Sequence, residues 1–426
     1  MRRGVAAAIV LSAFIVALGA AGPAAASGNA AYGIEDDAWL AYGPGSVSQR
    51  VATLATLGTK IVRFTLRWDE VAPTPPAAPR NPADPAYRWS VFDAVLRALH
   101  ARGITALVTL YGSPRWANGG RGPNALPLRG FGDFAYAAAR RFPWVRMWTA
   151  WNEPNGRTFS VPVSPRLYVQ RLLDPAYAEL HQANRANLVA GGVTSPRATP
   201  SGMSPLAFMQ GMKTAHARLD AYAQNPYPVS RGETPFHSPC AHCTVMTMAN
   251  LPQIRADVTR YFGSRTPLWL TEYGYQTNPP DRLLGVSWML QATYMAEAAL
   301  RVWQEPGVTV LIHFLVRDEP NLGGWQSGLL TAAGAQKPSY HGFALPLAEV
   351  SRRGAVAQLW GQVRPGSGRR PYVVQRFSGG AWRALGARGL TDRTGTFERA
   401  VTLPPAALVR LWSPGAGFAG AALLLP

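Results

Sequence analysis

The chain has 426 residues, of which 47% are hydrophobic, 10% aromatic and 15% charged, with 42 lysines and arginines against 23 acids and a net charge of +19. This composition excludes a disordered tail, a collagen and a coiled coil, and the length allows two or three domains or one large barrel with an appendage. No arginine run exceeds two residues, so no basic arm or recognition helix is visible, and two cysteines cannot build a disulfide framework.

From the N-terminus, Arg2 and Arg3 precede an uncharged apolar run over 5–18 and small residues ending Ala24-Ala25-Ala26. This is the pattern of a secretory signal peptide cleaved after Ala26, and the run is short against the roughly 20 residues that span a bilayer. Cleavage leaves residues 27–426 and lowers the charge from +19 to +17 by removing Arg2 and Arg3. An extracellular location is therefore expected, and no later stretch reads as a transmembrane segment.

Between residues 30 and 350, short apolar runs alternate with amphipathic stretches of helical period. Strands are expected at 31–34, 61–66, 105–110, 145–151, 188–193, 219–223, 268–271 and 308–314, with helices near 46–57, 91–102, 132–141, 165–183, 205–217, 252–262, 287–304 and 338–347. Eight parallel strand–helix units can close into a (β/α)8 TIM barrel over residues 27–350. A doubly wound open sheet is the competing architecture, but no Gly-x-Gly-x-x-Gly follows the first strand. The long connections over 69–87, 112–130 and 225–250 follow strands, whereas those at 58–60 and 102–104 precede them, an asymmetry typical of a barrel with an active face. Beyond residue 350 the helical period gives way to short strand-like runs at 355–360, 373–377, 397–403 and 408–412 separated by Gly/Pro/Ser turns, which predicts a small all-β sandwich over 351–426. That segment holds 11 arginines and only two acids, Asp392 and Glu398. An anionic cell-wall polymer is one partner this would suit; a solvated face in an arginine-biased chain is the other reading.

Two strands stop abruptly at a carboxylate. The fourth runs Trp148-Thr149-Ala150-Trp151-Asn152-Glu153-Pro154-Asn155 and the seventh Leu268-Trp269-Leu270-Thr271-Glu272-Tyr273-Gly274. Barrel enzymes place their chemistry at such C-terminal strand ends. Either glutamate taken alone is equally a helix cap or a loop ion pair; the pair, flanked by aromatics, is the specific signal. Trp-Asn-Glu-Pro and Thr-Glu-Tyr-Gly resemble clan A of the glycoside hydrolases, within which the chain is most similar to cellulase-like and family 39-type barrels. The segment 62–68 on the second strand and 112–116 after the third also fit. The resemblance implies Glu153 as acid/base, Glu272 as nucleophile and Asn152 as partner of a sugar 2-hydroxyl. It implies a retaining hydrolase that cleaves O-glycosidic bonds of a poly- or oligosaccharide by double displacement, with no cofactor and no nucleic-acid partner, expected to be a monomer. The chain departs from the pattern in the eighth strand, 311–314, which lacks a tryptophan, and in Asn225-Pro226-Tyr227, where His-x-Tyr is frequent.

The chemistry asks for such a pair on its own grounds. One carboxyl must donate a proton to the leaving oxygen while the other faces the anomeric carbon, so their surroundings must push their pKa values apart. Nearby tryptophans and the companion anion are expected to raise the pKa of Glu153. Arg63 either points into the barrel mouth toward Glu272 or forms a structural ion pair on the wall. Tyr227 either orients Glu272 or is a buried ring. Trp68, Trp116 and Trp325 fall in expected post-strand loops, where rings stack on sugar faces or pack in the core. The segment His237-Ser238-Pro239-Cys240-Ala241-His242-Cys243 offers four metal ligands, but in an exported chain a Cys240–Cys243 disulfide is the simpler reading, and no metal is expected. A non-catalytic carbohydrate-binding or wall-associated barrel stays open beside the hydrolase.

Overall fold

The computed structural model describes residues 30–237 and 244–425. The signal-peptide segment and the Cys240–Cys243 pair lie outside the described residues.

Eight parallel strands close a barrel in sequence order: β1 (Ala31–Glu35), β2 (Ile61–Arg67), β3 (Thr105–Tyr111), β4 (Met147–Ala150), β5 (Leu188–Thr194), β6 (Ala221–Gln224), β7 (Leu268–Tyr273) and β8 (Val308–Phe314), with β8 pairing back on β1. Each is almost wholly buried because helices cover the outside and side chains fill the inside, which explains why the strands read as continuous apolar runs. The covering helices use local signals. Ser46 and Gln49 form a capping box before Val47–Thr56, and Ser204 and Ser287 cap Pro205–Thr214 and Trp288–Gln304. Helix-to-strand turns are short, as at 57–60 and 102–104, whereas the strand-to-helix loops at 68–89, 112–130 and 225–250 are long. Residues that follow a strand are therefore gathered at one mouth.

The chain then forms two antiparallel sheets. One, ordered β14-β10-β9, contains β9 (Leu347–Arg353), β10 (Val356–Gln362) and β14 (Thr396–Thr402). The other is built on β11 (Pro371–Ser378), β12 (Ala381–Ala384) and β15 (Leu408–Ser413), with β13 (Gly389–Leu390), β16 (Phe418–Ala419) and β17 (Leu423–Leu424) at its margins. Leu347, Leu359, Val374, Val409 and Leu411 fill the space between them. A boundary at 350 falls inside β9, which pairs with β10 and belongs to the sandwich. The last barrel helix ends at Ala344 instead of 347, and its terminal residues enter the sandwich core.

Barrel and sandwich share buried surface along the helices Trp288–Gln304 and Pro338–Ala344 and at the turn before β2. Trp360 of β10 is fully buried in the barrel's core cluster, with its ring 6.0 Å from Trp303. The Arg364 guanidinium lies 4.4 Å from the ring centres of both Tyr32 on β1 and Phe343. Gly58, in the turn before β2, has φ +70° and sits so close to the Arg364 backbone that a Cβ would lie 2.7 Å from its carbonyl carbon. Only glycine meets both conditions there. Among the described residues no helix is long and apolar enough to cross a membrane.

Candidate active site

The mouth is organised around one buried cation. Arg63, in the middle of β2, points into the barrel and is 1% exposed. Its Nε donates to Thr109 Oγ1 (2.8 Å), one terminal nitrogen to both Glu35 Oε2 (2.5 Å) and Glu272 Oε1, and the other to Asn152 Oδ1 (2.9 Å). The guanidinium thus ties together β1, β2, β3, β7 and the turn after β4. Burial works against its charge, but Glu35 and Glu272 outweigh burial and raise its pKa. Removing one member of such a buried group leaves an uncompensated charge, at a typical cost of about 3–5 kcal/mol.

Glu272, in β7, accepts on both oxygens: from Arg63 on Oε1 and from the Tyr227 hydroxyl on Oε2 (3.0 Å). Two donors on two acceptor atoms match a carboxylate. Burial, and after it the neighbouring carboxyl groups with Glu272 first, raise the Tyr227 hydroxyl well above its ordinary range, so it stays a donor.

Glu153 is held differently. The chain leaves β4 through Trp151 (φ 73°) and Glu153 (φ 41°), two side-chain-bearing residues in a left-handed backbone region, one on either side of Asn152. Such strain persists only where the surroundings fix it. Here Trp151 N–H donates to Leu110 O (2.8 Å), Trp151 Nε1–H to Phe159 O (2.7 Å) and Glu153 N–H to Val193 O (2.9 Å). Asn152 then meets Arg63 while Glu153 lines the cleft. The Glu153 carboxyl receives one hydrogen bond, from Asn225 Nδ2 (3.1 Å), whose Oδ1 in turn accepts from Thr271 (2.7 Å), the neighbour of Glu272. Burial chiefly, then the Glu272 charge, push the pKa of Glu153 up to about 8.

The cleft beside Glu153 has a cavity volume of about 200 Å³ and is open to solvent. Tyr227, Tyr275, Leu284 and Trp325 form its apolar walls, and Ser195, Thr199, Ser230 and Gln276 supply polar groups. The Trp325 ring lies 4.7 Å from that of Tyr227 and 5.5 Å from that of Phe314.

Of the eight site residues expected from sequence, the structure brings Glu153, Glu272, Asn152, Arg63, Tyr227 and Trp325 together. Trp68 is corrected: it is 1% exposed, in the short helix Trp68–Val71, and packs against Phe131, Phe134 and Trp116, so it presents no ring to a sugar. Trp116 is half-buried edge-on against Trp68, with Nε1–H donated to Ala72 O (2.8 Å), and does not line the cleft at Glu153. Sequence reasoning missed Asn225, Thr271 and above all Glu35. Burial raises the Glu35 pKa well above the carboxylate range, Arg63 opposes it, and Glu272 and Asp37 reinforce it. Its signal was present, since β1 is an apolar run that stops at Glu35-Asp36-Asp37, as β4 and β7 stop at theirs. Among the described residues no group of three or more His, Cys, Asp or Glu side chains is placed to hold a metal ion.

The closed barrel with a trailing β-sandwich is an architecture shared with solved glycoside hydrolases. The chain superposes with a TM-score of 0.59 and 14% identity on a family 39 glycoside hydrolase from the gut symbiont Bacteroides cellulosilyticus WH2, over 88% of this chain and 81% of that one. It is similar to the GH39 enzyme from Xanthomonas axonopodis pv. citri (TM-score 0.56, 15% identity, 91% and 94% covered) and to GH5_18 from Streptomyces cattleya, solved with GlcNAc (0.53, 16%, 75% and 79%). At these identities the likeness establishes the fold. No family model and no curated protein matches the sequence.

Proposed function

We propose that the protein is a secreted, retaining glycoside hydrolase acting on a poly- or oligosaccharide. The observation that carries this reading is the contrast between two glutamates at one mouth: Glu272, clamped by a cation and a phenol, and Glu153, which is desolvated and whose pKa is raised to about 8. In the first step an oxygen of Glu272 bonds to the anomeric carbon as the glycosidic C–O bond breaks, and Glu153 passes its proton to the departing oxygen. In the second step Glu153, now ionised, takes a proton from water as that water's oxygen bonds to the anomeric carbon, and the ester to Glu272 breaks. Asn152, whose Oδ1 accepts from Arg63, hydrogen-bonds the sugar hydroxyl next to the anomeric centre in this reading. The fold shared with glycoside hydrolases supports the reading, and the Ala24-Ala25-Ala26 segment behind an apolar run supports secretion.

An activated 2-deoxy-2-fluoro glycoside of an accepted sugar tests the mechanism. Digestion after incubation should give one labelled peptide, carrying the glycosyl group on Glu272, and early hydrolysis followed by proton NMR should show the retained anomer. An inverted product, or a label on another carboxylate, overturns double displacement through Glu272.

A further inference from the structure

The outer face of the sandwich carries aromatic rings that belong to none of the hydrophobic cores. On β11 the side chains of Tyr372 and Val374 point inward and are buried, as do those of Val409 and Leu411 on β15. The alternate positions, Val373, Gln375 and Phe377 on β11 and Arg410 and Trp412 on β15, therefore face outward. Register places Val373 opposite Trp412, Gln375 opposite Arg410, and Phe377 opposite Trp382 of β12. Phe377 is 43% exposed, and Trp382 and Trp412 are partly exposed and absent from every core cluster. The face is ordered by its own contacts. The Phe377 and Trp382 rings meet at 5.4 Å, the Arg410 guanidinium lies 4.2 Å from the Trp382 ring centre, and Arg410 Nε–H donates to Gln375 Oε1 (2.8 Å).

From Arg353 onward the cations of the sandwich are uncompensated. Residues 351–426 hold 11 arginines against two acids, and among the described residues none of the arginines from Arg353 onward has an acidic partner within ion-pair distance. On the opposite side of the same sheet, Arg376 and Arg383 stand directly across from each other, a like-charge placement that weakens a sheet. Exposed rings and unpaired cations both cost stability in the free protein, and both are complementary to an anionic chain with apolar ring faces.

We propose that this face binds a strand of an acidic polysaccharide. The C–H faces of the sugar rings pack on Trp382, Trp412 and Phe377, and Arg410 and Gln375 meet carboxylates and hydroxyls. The choice of a glycan rests on the glycosidase reading of the barrel, because rings beside arginines also suit single-stranded nucleic acid.

Affinity electrophoresis of the full chain through gels containing polygalacturonate, neutral xylan or no polymer tests the proposal, with a single-stranded 20-mer as competitor. Polygalacturonate should retard the wild type in a salt-dependent way. Trp382→Ala/Trp412→Ala should weaken retention about tenfold or more while the thermal midpoint and turnover of a soluble aryl glycoside stay unchanged. If that double variant loses its melting transition, Phe377→Ser and Arg410→Gln, both on the outer face, carry the same expectation. Unchanged retention in folded variants, equal retention by xylan, no retention by the acidic polymer, or tighter binding of the 20-mer each overturns the proposal. Absence of aryl-glycoside turnover with retention intact sinks the glycosidase reading and leaves the platform standing.

Discussion

The ends of β4 and β7 present the same functional group in opposite company. Glu272 sits near the end of β7, where the pairing with β8 shifts register, and meets a guanidinium and a phenol, whereas Glu153 lies in a strained turn after β4 and meets one amide. Strand-end position is common to both, so it cannot assign their roles; the partners do. A carboxyl with two donors is set up to stay an acceptor, and one in a dry wall beside another anion is set up to hold a proton.

Abolishing one side of that contrast should have the largest effect. Glu272→Gln keeps the shape and leaves no nucleophile, so kcat should fall by about 10⁴-fold or more on every substrate, with sugar binding retained in calorimetry. Glu153→Ala should instead discriminate. Glycosides with poor leaving groups should lose about 10²–10⁴-fold, activated aryl glycosides far less, and added azide should restore turnover as a glycosyl azide. Equal losses on both substrate types, without azide rescue, would falsify the acid/base assignment.

Subtler changes sharpen the comparison. Glu35→Gln removes the second carboxylate on the Arg63 nitrogen that serves Glu272, concentrating the guanidinium charge there and making the attacking oxygen less nucleophilic. We expect kcat to drop about tenfold, as one buried charged contact of about 1.5–3 kcal/mol is lost, with KM little changed. An unchanged kcat in the folded variant would reduce Glu35 to a structural role. On poor leaving groups the wild type should lose activity as pH rises through about 8, where Glu153 surrenders its proton. Asn225 donates to the ionised form of Glu153 and so opposes the upward shift. Asn225→Ala should therefore extend that limb to still higher pH, the smallest of these effects, read from a pH–rate profile.

Much of the site was legible because barrel chemistry punctuates apolar strands. Runs ending in Asn152-Glu153 and Glu272 stood out, and Arg63 was conspicuous as a cation inside an apolar run. The same rule applied to 31–35 finds Glu35. Trp68 escaped correct reading because β2 passes directly into a short helix that turns the ring inward onto Phe131 and Phe134, a partnership between segments over 60 residues apart. The fourth strand was expected to run to 151, but Trp151 adopts positive φ and ends it at Ala150. In the sandwich, β9 and β12 were not expected as strands, the expected helix reaching only Leu347 and 381–384 being left unassigned, since both owe their extended form to long-range pairing that local pattern does not encode.

Gly58 and Arg364 carry a consequence for handling the molecule. With the Arg364 side chain set between Tyr32 and Phe343, its backbone against a turn where no Cβ fits, and Trp360 lodged in the barrel core, the C-terminal sheets are built into the barrel and are not a detachable cassette. Scanning calorimetry should give a single heat-absorption peak for the whole chain, and a barrel truncated before Leu347 should be recovered insoluble. Swapping the sandwich with that of another enzyme would mean redesigning this seam, residue against residue, on both sides of the cut.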